Sequence, residues 1–237
     1  MRRDPLDQGD AGRRNAVTEH VVVIDYGAGN LCSVDNALRV AADGMAGGRG
    51  ATITVTASPA AIARADRIVL PGVGAFGQCI GALRAVSGIA DALTTAVKGR
   101  GVPFLGICVG MQLLATEGRE HGVFPGLGWI DGVVERIVPV AASGGAVLKV
   151  PHMGWNTVAF ARDHPALTHV ARDARAYFVH SYRFVAAAAD DVIAATDHGG
   201  SIAAIIGRDN LLGVQFHPEK SQGFGLSVLR GFLGWKP

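Results

Sequence analysis

Apolar and polar positions change period along the chain in a regular alternation. His20-Val21-Val22-Val23-Ile24-Asp25 is an unbroken β-branched run that stops at a glycine-rich turn, the pattern of a central parallel strand covered on both faces. A helical period follows from about Leu31 to Ala42, then a strand at Thr52–Thr56, a short helix from Pro59 and a strand at Arg67–Leu70. Helical segments run from Phe76 to Lys98, another buried strand covers Pro103–Ile107, and a helix starts at Val109. Buried strands alternating with helices predict an α/β fold with a doubly wound, mostly parallel sheet. Beyond Trp129 the strands shorten and alternate, at Gly132–Ile137 and Trp155–Phe160, which predicts antiparallel additions to that sheet rather than a second domain.

Residues 1–19 carry four arginines and four acidic residues with little apolar periodicity, and read as a flexible arm ahead of one domain spanning 20–237. The 33 glycines are about twice the usual share, and the stretches Gly44–Gly50 and Ser143–Gly145 read as loops. A content of 49% hydrophobic and 18% charged residues excludes a disordered chain. The net charge of +2 argues against a nucleic-acid groove or a membrane-surface patch. No apolar run approaches the ~18 residues of a spanning helix. Cys32, Cys79 and Cys108 are odd in number and widely spaced, which suits neither a disulfide framework nor a metal site. A reducing, cytoplasmic location is expected, with no metal and no cofactor.

The strongest chemical signal is Phe104-Leu105-Gly106-Ile107-Cys108-Val109-Gly110-Met111-Gln112, a buried strand entering Gly-x-Cys-x-Gly and then a helix. That frame is a nucleophile elbow, in which flanking glycines let the backbone turn sharply and present the central side chain. The helix N-terminus would favour a thiolate, and the Val109 N–H could donate to an oxyanion. A buried packing cysteine is the competing reading, and it is the one adopted for Cys32 and Cys79.

Far downstream, Leu211-Leu212-Gly213-Val214-Gln215-Phe216-His217-Pro218-Glu219-Lys220 reads as a strand and its exit. Two residues apart, His217 and Glu219 project to one side, and a carboxylate beside an imidazole fixes its tautomer and stabilises its charged form. Taken with the elbow, they complete a Cys-His-acid triad. Leu70-Pro71-Gly72-Val73-Gly74-Ala75-Phe76-Gly77 is another strand end with a glycine-rich loop, able to turn an N–H of Val73 or Gly74 toward Cys108, or to be an ordinary turn. Gln112, one helical turn beyond Cys108, can bond a substrate's polar groups. Asp25-Tyr26-Gly27-Ala28-Gly29-Asn30 lacks the third glycine of a dinucleotide fingerprint, since position 32 is Cys32.

This set resembles the triad-type, class I glutamine amidotransferases, with their flavodoxin-like fold, over about residues 20 to 235. Asp25–Asn30, Pro151-His152-Met153-Gly154-Trp155-Asn156 and Tyr177-Phe178-Val179-His180-Ser181-Tyr182-Arg183 look like the glutaminase subunits of imidazole glycerol phosphate synthases of histidine biosynthesis. The resemblance implies glutamine as the substrate, with His180, Ser181 and Tyr182 near it. It also implies a separate (β/α)₈-barrel cyclase subunit that receives the ammonia. Met153, Trp155, Tyr177 and Tyr182 are expected in loops or strand ends, as interface residues or, alternatively, as caps on the protein's own core, and the resemblance puts Asn30, Trp155, Tyr177 and Lys220 at the ammonia-transfer face. The alternatives are a glutaminase of another pathway, an idle interaction subunit or a cysteine hydrolase of the same architecture; the first does not explain Pro151–Asn156, and the second would show a damaged triad.

Overall fold

A computed structural model describes residues 18–45, 50–140, 147–172 and 174–237. Most of the expected arm and of the two glycine-rich loops lies outside the described residues. Glu19, placed at the arm's end, is the first residue of a strand: it pairs with Ala51, and its carboxylate bonds Arg67 at 2.7 Å.

The first half of the chain alternates as expected: β1 (Glu19–Ile24), α1 (Leu31–Asp43), β2 (Ala51–Thr56), α2 (Pro59–Ala63), β3 (Arg67–Gly72), α3 (Phe76–Ala85), α4 (Ile89–Thr94), β4 (Phe104–Cys108) and α5 (Val109–Gln112). In α1 the buried positions are Val34, Ala37, Leu38 and Ala41, the spacing of one helical face. Across residues 86–88 the chain turns by 97° between the helical segments Phe76–Ala85 and Ile89–Gly99, and Gly88 there has a φ of 76° that suits glycine. Among the described residues no single helix is long and apolar enough to cross a membrane. Thereafter come β5 (Glu117–Gly118), β6 (Phe124–Pro125), β7 (Gly132–Arg136), β8 (His152–Thr157), β9 (Ala159–Phe160), β10 (Arg175–His180), β11 (Tyr182–Ala186), β12 (Val192–Asp197), β13 (Ser201–Arg208), β14 (Leu211–Val214) and α6 (Gln222–Gly234).

The main sheet has eight strands in the order β2-β1-β3-β4-β14-β13-β12-β9. From β2 to β14 neighbours are parallel; β13, β12 and β9 add antiparallel pairs. All residues of β3, β4 and β14 are buried, as strands covered on both faces must be. Arg67, only 3% exposed, opens β3 and ties it to Glu19 and to the carbonyls of Phe232 and Trp235, so the far end of the sheet is closed by the C-terminus of α6.

Two segments expected in the main sheet lie elsewhere. Gly132–Arg136 joins a four-stranded sheet, β11-β7-β5-β6, and His152–Thr157 pairs only with β10; of the predicted second strand, Ala159–Phe160 alone reaches the main sheet. Their alternation reports a half-buried strand correctly, with burial patterns that alternate in both, but alternation carries no information about which neighbour supplies the hydrogen bonds. The antiparallel additions are made instead by Ser201–Arg208, a nearly continuous buried run, and its partner β12.

Strand order is what builds the site. β4 lies between β3 and β14, with Gly72 opposite Cys108 and Val214 opposite Ile107. Three motifs far apart in the chain therefore end side by side at one edge of the sheet, the usual place for ligands in open α/β folds.

Candidate active site

At Cys108 the backbone has φ 55° and ψ −113°, a strained conformation for a residue with a Cβ. The glycines around it are there because nothing larger fits. A Cβ on Gly106 would stand 2.5 Å from the Gly110 carbonyl oxygen, and one on Gly110 would collide with the carbonyl of Leu70. Close approach of the elbow to β3 thus holds the turn, and Cys108, 4% exposed, lines a cavity of about 410 Å³.

The helix after the elbow is one turn long, Val109–Gln112. It ends there because the next carbonyls are claimed from elsewhere: Leu113 by the N–H of Leu127, Leu114 by Trp129 and Ile130, Ala115 by Gly128. A single turn has little macrodipole, so the thiolate-favouring field expected from this helix is small. The charge near Cys108 comes from the other flank.

There, His217 Nδ1 is 2.8 Å from Glu219 Oε1. A carboxylate only accepts, so Nδ1 carries the proton and Nε2 is left for Cys108. Burial lowers the affinity of His217 for its proton, but hydrogen bonding to Cys108 and Glu219 and the negative charge of both outweigh it, and the ring is pushed up to about 10. Ser221, whose hydroxyl donates to the His217 carbonyl at 2.7 Å and accepts from the Tyr177 N–H at 3.0 Å, pins this backbone.

Across the cavity, Val73 and Gly74 line the wall opposite His217, and Gly74 has φ +113°. The Val73 carbonyl accepts from the Cys79 thiol at 3.4 Å. In a trans peptide the following N–H points the other way, so the Gly74 N–H is turned from Cys79. Val109, as the first residue of its helix, has no intrahelical acceptor for its N–H.

Gln112, His180, Ser181 and Tyr182 all line the cavity, with differing freedom. Gln112 is 3% exposed and its amide nitrogen donates to the Tyr182 carbonyl and to Gln215 Oε1, both at 3.0 Å, leaving its oxygen unused. His180 uses both ring nitrogens internally, on His152 at 3.0 Å and on the Tyr182 carbonyl at 2.8 Å, so its ring supports the wall. Glu120, not singled out by sequence, also faces the cavity, and its carboxylate caps α3 through the Phe76 N–H at 2.7 Å.

The expected interface residues are partly together. Trp155 and Tyr177 are register partners in β8 and β10, packed edge to face at 6.1 Å, and the Lys220 ammonium stands 5.9 Å over the Tyr177 ring. Lys220 lines the cavity, while Trp155 and Met153 are 40% and 66% exposed, so an aromatic ridge leads outward from the site. Trp155 and Tyr177 lie within strands rather than in loops or strand ends, because the two-stranded ribbon leaves its outer face open. Asn30, at the start of α1, does not line the cavity.

Comparison with known proteins gives the family and the fold. Residues 22–233 match the class-I glutamine amidotransferase family. The chain is 52% identical over 225 residues to the imidazole glycerol phosphate synthase subunit HisH of Zymomonas mobilis, covering 94% of this chain and 100% of that one. It is 50% identical to the same-named subunit of Caulobacter vibrioides, over 92% and 99% of the two chains. A crystal structure of a glutamine amidotransferase shares the fold, with a TM-score of 0.64 at 19% identity over 90% of this chain and 96% of that one. The chain belongs to the class-I glutamine amidotransferases and, within them, to the HisH family.

Proposed function

We propose that this chain is the glutaminase subunit of an imidazole glycerol phosphate synthase, which hydrolyses glutamine at Cys108 and passes the ammonia to a barrel-shaped cyclase subunit. The observation that carries this reading is geometric: His217, oriented by Glu219 at 2.8 Å, lines one cavity with a cysteine held on a strained elbow. An imidazolium beside a thiol favours the thiolate.

The Cys108 thiolate attacks the side-chain amide carbon of glutamine, and the carbonyl oxygen takes the charge. The N–H of Val109 and an N–H of Val73 or Gly74 receive that oxyanion. His217 gives its proton to the leaving nitrogen, so ammonia departs and a glutamyl thioester remains. Neutral His217 then takes a proton from water as it attacks the thioester; glutamate leaves, and Cys108 and His217 return to their starting state. Glu219 keeps the ring in one tautomer throughout. The Glu120 carboxylate suits the α-ammonium of an amino acid, and the free oxygen of Gln112 suits a donor on it. The Trp155–Tyr177 ridge and Lys220 suit an interface through which the ammonia leaves.

Glutamate release by the purified chain, measured alone and with the cyclase subunit and its nucleotide ligand, tests the assignment. Release is expected to rise at least tenfold with both. Strong release that ignores the cyclase would keep the site and assign it to another pathway.

A further inference from the structure

Gln215 is a polar residue in a buried apolar run, with no exposed surface. Its backbone N–H is fixed by the Ala204 carbonyl at 2.9 Å, and its side-chain nitrogen lies 3.8 Å from Cys108 Sγ, within reach of a hydrogen bond to sulfur. A buried amide has two ends, and which end faces sulfur decides whether it stabilises or repels a thiolate.

Neighbouring groups make that decision. The Tyr182 carbonyl only accepts, so the end of Gln112 that meets it is the nitrogen. The second proton on that nitrogen must find an acceptor, which makes the facing atom of Gln215 its oxygen, at 3.0 Å. The Gln215 nitrogen is then left for Cys108. Orientation also extends outward. The Asn156 amide nitrogen donates to the Asp197 carbonyl at 2.7 Å and meets His152 Nε2 at 3.1 Å, so Nε2 accepts and Nδ1 donates to His180 Nε2 at 3.0 Å. His180 Nδ1 therefore donates to the second lone pair of the Tyr182 carbonyl, at 2.8 Å. Both rings are kept neutral, which this directionality requires: burial foremost, then neighbouring histidines, lower His152 to about 3, and burial outweighs the Tyr182 bond in lowering His180 to about 4.

We propose that Gln215 is a positioning residue that holds the Cys108 sulfur with a donor, and that its amide is oriented from strand β8 through Asn156, His152, His180, the Tyr182 carbonyl and Gln112. This rests on Cys108 being the nucleophile. Gln215 is not among the residues that line the cavity, so it reaches the reaction through the Cys108 sulfur directly and through the Gln112 amide it accepts from.

The test compares Gln215→Met, which fills the space without a donor, and Gln215→Leu, a smaller apolar side chain that removes the donor as well. Two readouts are used: alkylation of Cys108 by iodoacetamide in the full chain at pH 7, followed by mass spectrometry, and glutamine hydrolysis in the complex with the cyclase subunit. A hydrogen bond to a charged group is worth about 10- to 100-fold. Gln215→Met and Gln215→Leu are each expected to lower the alkylation rate and kcat by about tenfold or more, with KM, which Gln215 reaches only through Gln112, changed less than kcat. Adding His180→Phe, which alone is expected to lower the rate by about threefold, should cost the Gln215→Met variant little more, because it acts through the same amide. Should Gln215→Met not fold, Gln215→Leu carries the test, because an apolar side chain leaves no buried charge. Wild-type alkylation and kcat in either folded variant would overturn the role of Gln215, and a fully multiplicative double variant would overturn the route through His180. Hydrolysis surviving in Cys108→Ala would overturn the nucleophile instead, a separate result.

Discussion

His217, His152 and His180 are almost equally buried, with 4%, 3% and 7% of their surface exposed, yet their rings titrate on opposite sides of neutrality. Burial pulls all of them down. At His217 that pull is beaten by Cys108 and Glu219, whose hydrogen bonds and negative charge hold the proton; at the other two, the ionisable neighbours are more histidines. Burial alone therefore does not set the state of a histidine here; the charge of what it faces does. One consequence is a division of labour across the cavity: an imidazolium able to give a proton on one flank, and a neutral, directional chain on the other.

The largest expected effect comes from removing the charged member. His217→Gln should lower kcat for glutamine hydrolysis by about 10⁴, the upper range of general acid–base catalysis, while synthesis from added ammonia persists. Glu219→Gln keeps the shape but withdraws the charge, and should lower kcat by about 100-fold and move the alkaline limb of the pH profile to lower pH. Kinetics of the two variants beside wild type decide this; a Glu219→Gln profile unchanged in both height and position would show that the carboxylate does not set the charge of His217.

A smaller effect should appear in stability. In the unfolded chain these imidazoles titrate near ~6.5, whereas folded His152 and His180 take a proton only near about 3 and about 4. Between those limits the unfolded state binds more protons, so stability falls as the pH falls. Folded His217, raised to about 10, works in the other direction: its contribution is complete below ~6.5 and lost as the pH rises through 10. Thermal melts from pH 7 to 5 should drop, and His152→Phe should lessen the drop; an identical slope in that variant would mean His152 is not held neutral by the fold.

The chemistry of the charged flank was written openly in the chain. The Gly-x-Cys-x-Gly frame is legible because Gly106 and Gly110 answer a contact that no Cβ survives, and His217 with Glu219 because a two-residue spacing puts both on one side. The neutral flank was less legible. His152 and His180 come together only because β8 pairs with β10 in a register that sets them opposite one another, and pairing partners are not encoded in alternation. Gln215 did leave a signal, as a single polar residue inside Leu211–Phe216 whose burial demands partners, but its partners, Gln112 and Cys108, are over a hundred residues away. The length of α5 was hidden for a similar reason: Val109–Ala115 is apolar enough for a longer helix, and the loop through Ile130 that claims its carbonyls is a tertiary feature.

The account turns on Cys108 as the nucleophile served by His217. Its most direct test is Cys108→Ala in the complex with the cyclase subunit, assayed for product with glutamine and, in parallel, with ammonium salt. Loss of the glutamine-dependent reaction with the ammonia-dependent one intact is the expected result. Glutamine-dependent synthesis that survives in this variant would contradict it.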